Sequence, residues 1–230
     1  MESNEKINNI LTFPSDFFNN DDSNNININE INENNFNNLF KKVLFLKEYN
    51  FYLQPRLSDN QCSNWCVLTC VLNLSIIIKN YDIKKVIELF KNITSLSKFY
   101  STRINSKDEK PENVEKIDKI SLTTIFRVEK LQDMLNLSKI RSQNCNISDI
   151  IKNKKFPDYK FAVFTVAHRH ECLVIKHTDG KYYVFNPGLT FDQFDKIQNF
   201  EFKTEFTTTS LKYTYNKNKP KEITNFIIVE

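Results

Sequence analysis

No stretch of this chain approaches the roughly 18 consecutive apolar residues that mark a membrane-spanning helix. Its opening Met1-Glu2-Ser3-Asn4-Glu5 has neither the positive charge nor the apolar run of a secretory leader. These absences point to a soluble protein of the cytoplasm, or one delivered into a host cell without a cleavable leader, and no membrane partner is expected. A basic block is missing too. The 32 Lys and Arg residues are interleaved with 28 Asp and Glu for a net charge of +4, without the stripe that tracks a phosphate backbone, so nucleic acid is not an expected partner. Cysteine is sparse and odd in number: Cys62, Cys66, Cys70, Cys145 and Cys172. The first three recur at helical spacing, where bridging geometry is poor, so reduced thiols are expected. Cys-x-x-Cys knuckles are also lacking, which argues against structural zinc, and no cofactor is expected. No internal repeat is visible.

Apolar residues make up 40% of the chain and aromatics 13%, enough for one sizeable core. The first 38 residues are dominated by Asn, Asp, Glu and Ser, with isolated Phe and Ile that settle into neither the helical nor the strand period. Residues 1–38 are therefore expected to form a mostly disordered tail, and residues 39–230 one folded domain whose packing starts between Phe36 and Phe45.

Asp59 to Asn64 is a polar approach with good capping residues, Ser63 and Asn64 among them. The following run to Ile78 is apolar all round, as a central buried helix would be. Ile83, Val86, Ile87 and Phe90 follow the i, i+3, i+4, i+7 pattern of an amphipathic helix. Arg103 to Asp118, charged and broken by Pro111, reads as a surface loop. Leu122–Leu137 and Ile147–Lys152 read as further helices. The second half changes period: 161–166, 171–176, 181–185, 211–215 and 223–229 are β-rich, and Thr178-Asp179-Gly180 carries hairpin-turn residues. Helices first and an antiparallel sheet second define an α+β domain.

The chemistry concentrates at three places. A thiol attacks a carbonyl as thiolate, a form favoured at a helix N-terminus beside a histidine; Cys66 has that position. An imidazole held in one tautomer by a third group is also needed. His170 and Asn186 are sixteen residues apart and flank one predicted hairpin, which would bring them together. Gln61, in the loop before the Cys66 helix, can offer a side-chain N–H to the oxyanion. Cys62 and His168 are alternatives to Cys66 and His170. Cys70, one turn deeper, reads as core, and His177 as an exposed turn residue.

Gln61, Trp65-Cys66 at a helix start, His170-Glu171-Cys172-Leu173-Val174 and Phe185-Asn186-Pro187, in that order, resemble the papain-like cysteine peptidase superfamily. Trp before the Cys and the Asn-Pro pair are similar to staphopain-like peptidases. The Gln-to-Cys spacing and Cys66-x-x-x-Cys70 before Asn73-Leu74 look like Josephin-type deubiquitinases. The resemblance implies a papain-like fold with a central Cys-bearing helix packed on an antiparallel sheet. It also implies a nucleophile Cys66 paired with His170, Asn186 orienting His170, and Gln61 in the oxyanion hole. The implied activity is hydrolysis of a peptide or isopeptide bond in a protein or peptide substrate. Acyl transfer by the same triad, and an inactive papain-like binding module, are the alternatives.

Overall fold

The computed structural model describes residues 30–54, 65–79, 82–92, 119–153, 159–166, 170–189, 193–194, 200–201, 203–206, 211–214 and 221–230. Packing begins earlier than a tail over residues 1–38 allows. Helix α1 (Glu33–Leu39) is started by Asn32, whose side chain accepts the Asn34 and Asn35 N–H groups while the Asn35 side chain accepts from Asn32 N–H. This reciprocal capping box uses asparagine where glutamate or glutamine is usual. Ile31, Phe36 and Phe40 are buried. Phe36 and Phe40 stack at 4.4 Å, and Phe40 meets Phe90 edge-on at 4.9 Å and Trp65 at 6.1 Å. The asparagines that give this segment its disordered composition are its caps and solvent face, while two phenylalanines anchor it.

The order of elements also differs from helices first and sheet second. Strands β1 (Lys42–Phe45) and β2 (Tyr49–Tyr52) form an antiparallel hairpin ahead of the Cys66 helix, so the first half is not purely helical. Its turn places Leu46 and Lys47 at φ of 54° and 58°. That region normally calls for Gly or Asn, so the turn has no sequence signature.

Helix α2 (Trp65–Ile77) follows, with every residue from Trp65 to Ser75 buried. Its apolar circumference is matched by neighbours on several sides: it packs on β2, on the strand His170–Lys176 and on the helix Lys119–Leu137. Asn73, fully buried, accepts the Tyr52 N–H at 2.8 Å and donates to the Tyr52 carbonyl at 3.0 Å. The amide thus acts as one more rung at the end of β2. Helix α3 spans residues 83–92, with the Asp82 carboxylate accepting the Lys84 N–H at 2.9 Å. Helices α4 (Lys119–Leu137) and α5 (Ile147–Asn153) agree with the expected periodicity. The charged segment from Arg103 to Asp118 lies outside the described residues.

The strands after α4 are β3 (Ser142–Cys145), β4 (Phe161–Val166), β5 (His170–Lys176), β6 (Tyr182–Phe185), β7 (Phe200–Glu201), β8 (Lys203–Phe206), β9 (Leu211–Thr214) and β10 (Lys221–Val229). They form an eight-stranded sheet in the order β7-β6-β5-β4-β10-β9-β8, with β3 also paired to β10. All these pairings are antiparallel. The domain is therefore α+β, as the change of period indicates. β3 was not anticipated, because Ser142-Gln143-Asn144-Cys145 has no strand pattern of its own. It is held by pairing with Phe226 to Val229.

Alternation along β5 sorts the site residues. Glu171, Leu173 and Ile175 share one face with their cross-strand partners Thr165, Val163 and Phe185. Phe185 packs edge-on against Phe45 at 5.2 Å and Phe51 at 4.9 Å, so the β1–β2 hairpin covers this face. His170, Cys172 and Val174 point to the other face with Phe164, Ala162 and Val184. Cys172, Leu173, Val174 and Ile175 are all fully buried. The middle of the sheet is thus covered on both sides.

Candidate functional site

His170 opens β5 and Asn186 directly follows β6. The β5–β6 register pairs Leu173 with Phe185. Beyond that pair the chain leaves the ladder: residues 186–189 form a turn, with Leu189 N–H on the Asn186 carbonyl at 3.4 Å, that lies against His170 at the start of β5. The hairpin therefore brings histidine and asparagine together as their spacing predicts, with Nε2 of His170 2.7 Å from Oδ1 of Asn186. The orientation of the amide follows from a second bond: Gly188 N–H donates to the same Oδ1 at 2.9 Å. An oxygen that only accepts requires His170 to carry its proton on Nε2, which leaves Nδ1 as the basic nitrogen. Burial works against the imidazolium, but the Cys172 thiol, the Asn186 hydrogen bond and the Glu171 charge together outweigh it and raise the His170 pKa. The turn is also braced from outside, since Gln54 N–H donates to the Pro187 carbonyl at 2.6 Å.

Cys66 is the second residue of α2. Its thiol donates to Oε2 of Glu171 at 2.6 Å, on the β5 face opposite to that of His170. Oε1 of the same carboxylate lies 3.5 Å from Nη1 of Arg127. Arg127 and Lys130 project from one side of α4 into this cluster, and Glu171, Cys66, Lys130 and Arg127 are only 0%, 3%, 3% and 8% exposed. Burial and the Glu171 charge push the Cys66 thiol well above its usual range, with Arg127 opposing them. A helix N-terminus favours thiolate by about a kcal/mol; at this depth desolvation and a neighbouring carboxylate win. Lys130 responds in the opposite sense: burial lowers its pKa to about 8, although Glu171 pulls it upward.

Of the expected site residues, His170 and Asn186 are in contact, Cys66 is engaged with Glu171, and Gln61 lies outside the described residues. The alternatives Cys62 and His168 and the capping residues Ser63 and Asn64 lie outside them as well. Cys70 is core, with its Sγ 3.7 Å from the Glu171 carbonyl oxygen. His177 is partly exposed beside the turn, 3.3 Å from Asp179.

Sequence reasoning missed Glu171, Arg127 and Lys130, although each left a signal. Glu171 alternates with Leu173 and Ile175, which puts a carboxylate on an apolar strand face. Arg127, Lys130, Leu131 and Met134 fall on one helical stripe at i, i+3, i+4 and i+7, which puts two cations on an apolar helix face. A charge on each of two buried faces calls for a partner.

Comparisons with protein-family models, with curated proteins and with solved structures find no match for this chain. No helix among the described residues is long and apolar enough to cross a membrane.

Proposed function

We propose that this chain is a thiol-dependent hydrolase of papain-like type, cleaving a peptide or isopeptide bond of a protein or peptide substrate. The observation that carries the reading is the 2.7 Å bond between His170 and Asn186 at the end of the strand on which the Cys66 helix packs. In the reaction, the Cys66 thiol leaves Glu171 and comes within reach of His170, which projects from the other face of β5; it gives its proton to that imidazole and its thiolate attacks the carbonyl carbon. The C–N bond then breaks as His170 returns the proton to the leaving amine, and water resolves the thioester. Asn186 keeps the ring in the tautomer whose Nδ1 accepts, and Gln61 supplies an oxyanion donor. Transfer of the same acyl group to an amine is the variant in which water is excluded.

A second reading, a papain-like fold used for binding without turnover, is favoured by the engagement of the Cys66 thiol with Glu171. One experiment separates the two. The full chain is incubated with a peptidyl electrophile that captures cysteine peptidase nucleophiles, and the adduct is mapped by mass spectrometry. The hydrolase reading expects an adduct on Cys66 that Cys66→Ala abolishes, His170→Ala strongly reduces and Cys172→Ala leaves intact. No adduct on the wild type, or one that survives Cys66→Ala, refutes it.

A further inference from the structure

The pairing that departs most from the expected chemistry is thiol to carboxylate. If the Cys66 proton crossed to Glu171, the S–H bond would break, an O–H bond would form and the electron pair would stay on sulfur, leaving thiolate beside a neutral carboxylic acid. Burial and the Glu171 charge push the Cys66 thiol well above its usual range, so this transfer runs uphill. Glu171 is thus a poor base for Cys66. As a hydrogen-bond acceptor carrying negative charge it does the reverse and keeps the proton on sulfur.

We infer that Glu171 is a positioning residue that holds Cys66 in its protonated resting form, and that Arg127 and Lys130 of α4 are the counter-charges that draw its carboxylate away when thiolate forms. The inference rests on Cys66 being the nucleophile of the proposed hydrolase and adds the regulation of that site. Three observations support it. The S–H bond to Oε2 is 2.6 Å long and fully buried. The other carboxylate oxygen already faces Arg127 at 3.5 Å, so a small rotation toward α4 trades one partner for another. The charged and titratable groups around the carboxylate are Cys66 and Cys70 on α2, Arg127 and Lys130 on α4, and His170 and Cys172 on β5 itself. Of these, the two α4 side chains are the cations able to stabilise a carboxylate that has let go of the thiol, Arg127 at every pH and Lys130 below about pH 8.

The test is the pH profile of Cys66 alkylation by uncharged iodoacetamide in the full-length chain, read by peptide mapping. Glu171→Gln keeps an acceptor of the same shape and removes the charge. Its midpoint is expected at least one pH unit below the wild type, with labelling at pH 8 about tenfold faster. Arg127→Gln is expected to move the midpoint upward. A Glu171→Gln midpoint that is unchanged or higher overturns the inference. Should that variant not fold, the wild type decides: the infrared S–H band lost in Cys66→Ala must lie at the lowered frequency of a strongly hydrogen-bonded thiol. A band at the free-thiol position, or none, overturns it. Failure of the hydrolase reading gives a different pattern, with no electrophile adduct on either protein while the iodoacetamide midpoint still moves.

Discussion

A Cβ on Gly188 would stand 2.9 Å from Cε1 of His170 and 3.3 Å from its Nε2. The chain needs glycine there for space, because the imidazole lies directly against this turn residue. Gly188→Ala forces the ring to move and strains its bond to Asn186. The expected outcome is a loss of Cys66 electrophile labelling of about tenfold or more. Overpacking of this kind costs about 1–3 kcal/mol, so the fold should survive. Gly180→Ala is the control: it has a φ of +80° and open space around the added methyl, so it loses some stability and keeps wild-type labelling. Equal labelling of both variants would remove the imidazole from the reaction.

Asn186→Ala removes the acceptor that holds the Nε2 proton. The Asn186 hydrogen bond is one of the influences that raise the His170 pKa against burial, so this variant is expected to lower it, as read from an NMR titration of the ring Cε1 proton. The sign for stability follows from linkage. A histidine whose folded pKa is raised contributes stability that is fully present below its unfolded pKa of about 6.5 and is lost as the pH rises through the folded value. Asn186→Ala should therefore destabilise most at acid pH, and the gap to wild type should narrow above neutrality. A constant gap across the range would show that the Asn186 bond does not favour the imidazolium.

The hairpin carrying His170 and Asn186 was legible because two β-rich runs flank a Thr-Asp-Gly turn, and antiparallel pairing fixes which residues meet. The central helix was legible because no face of residues 67–78 is polar. The β1–β2 hairpin was not, since its turn forces Leu46 and Lys47 into positive φ, which no side chain advertises. α1 was hidden by the asparagines that cap it. The partner of Cys66 could not be read either, because it depends on how α2, α4 and β5 are arranged in space. Charges on the apolar faces of α4 and β5 show that each needs a partner without showing which one.

Asn73 ties α2 to the end of β2 by accepting the Tyr52 N–H and donating to the Tyr52 carbonyl. Asn73→Ala leaves a buried N–H and a buried carbonyl without these bonds, which costs about 2–4 kcal/mol. At about 2–4 °C per kcal/mol for a chain of this size, thermal melting should fall by roughly 4–16 °C. Asn73→Asp retains an acceptor for the N–H and sets a carboxylate against the carbonyl, so it is expected to be worse than alanine. Melts within about 1 °C of wild type for either variant would show that the hairpin is held by its Phe45 and Phe51 contacts alone.

Lys130 gives the clearest pH signature. Its folded pKa of about 8 against an ordinary 10.5 means that the folded chain binds this proton less tightly than the unfolded chain. The sign is opposite to that of a lysine gaining a partner. Below about pH 8 the charge costs stability in full, on the order of 3 kcal/mol. As the pH rises toward 10.5 the unfolded chain still holds its proton, the folded chain has released it, and the cost fades. Lys130→Met, close in length and without charge, is therefore expected to be more stable than wild type at pH 7, with the advantage shrinking by pH 10. The measurement is the difference in denaturation free energy between the two proteins at pH 7, 8.5 and 10, which cancels the titration of the tyrosines and cysteines common to both. If Lys130 instead stabilises the domain through Glu171, the variant will be the weaker protein at pH 7 and the difference will have the opposite sign.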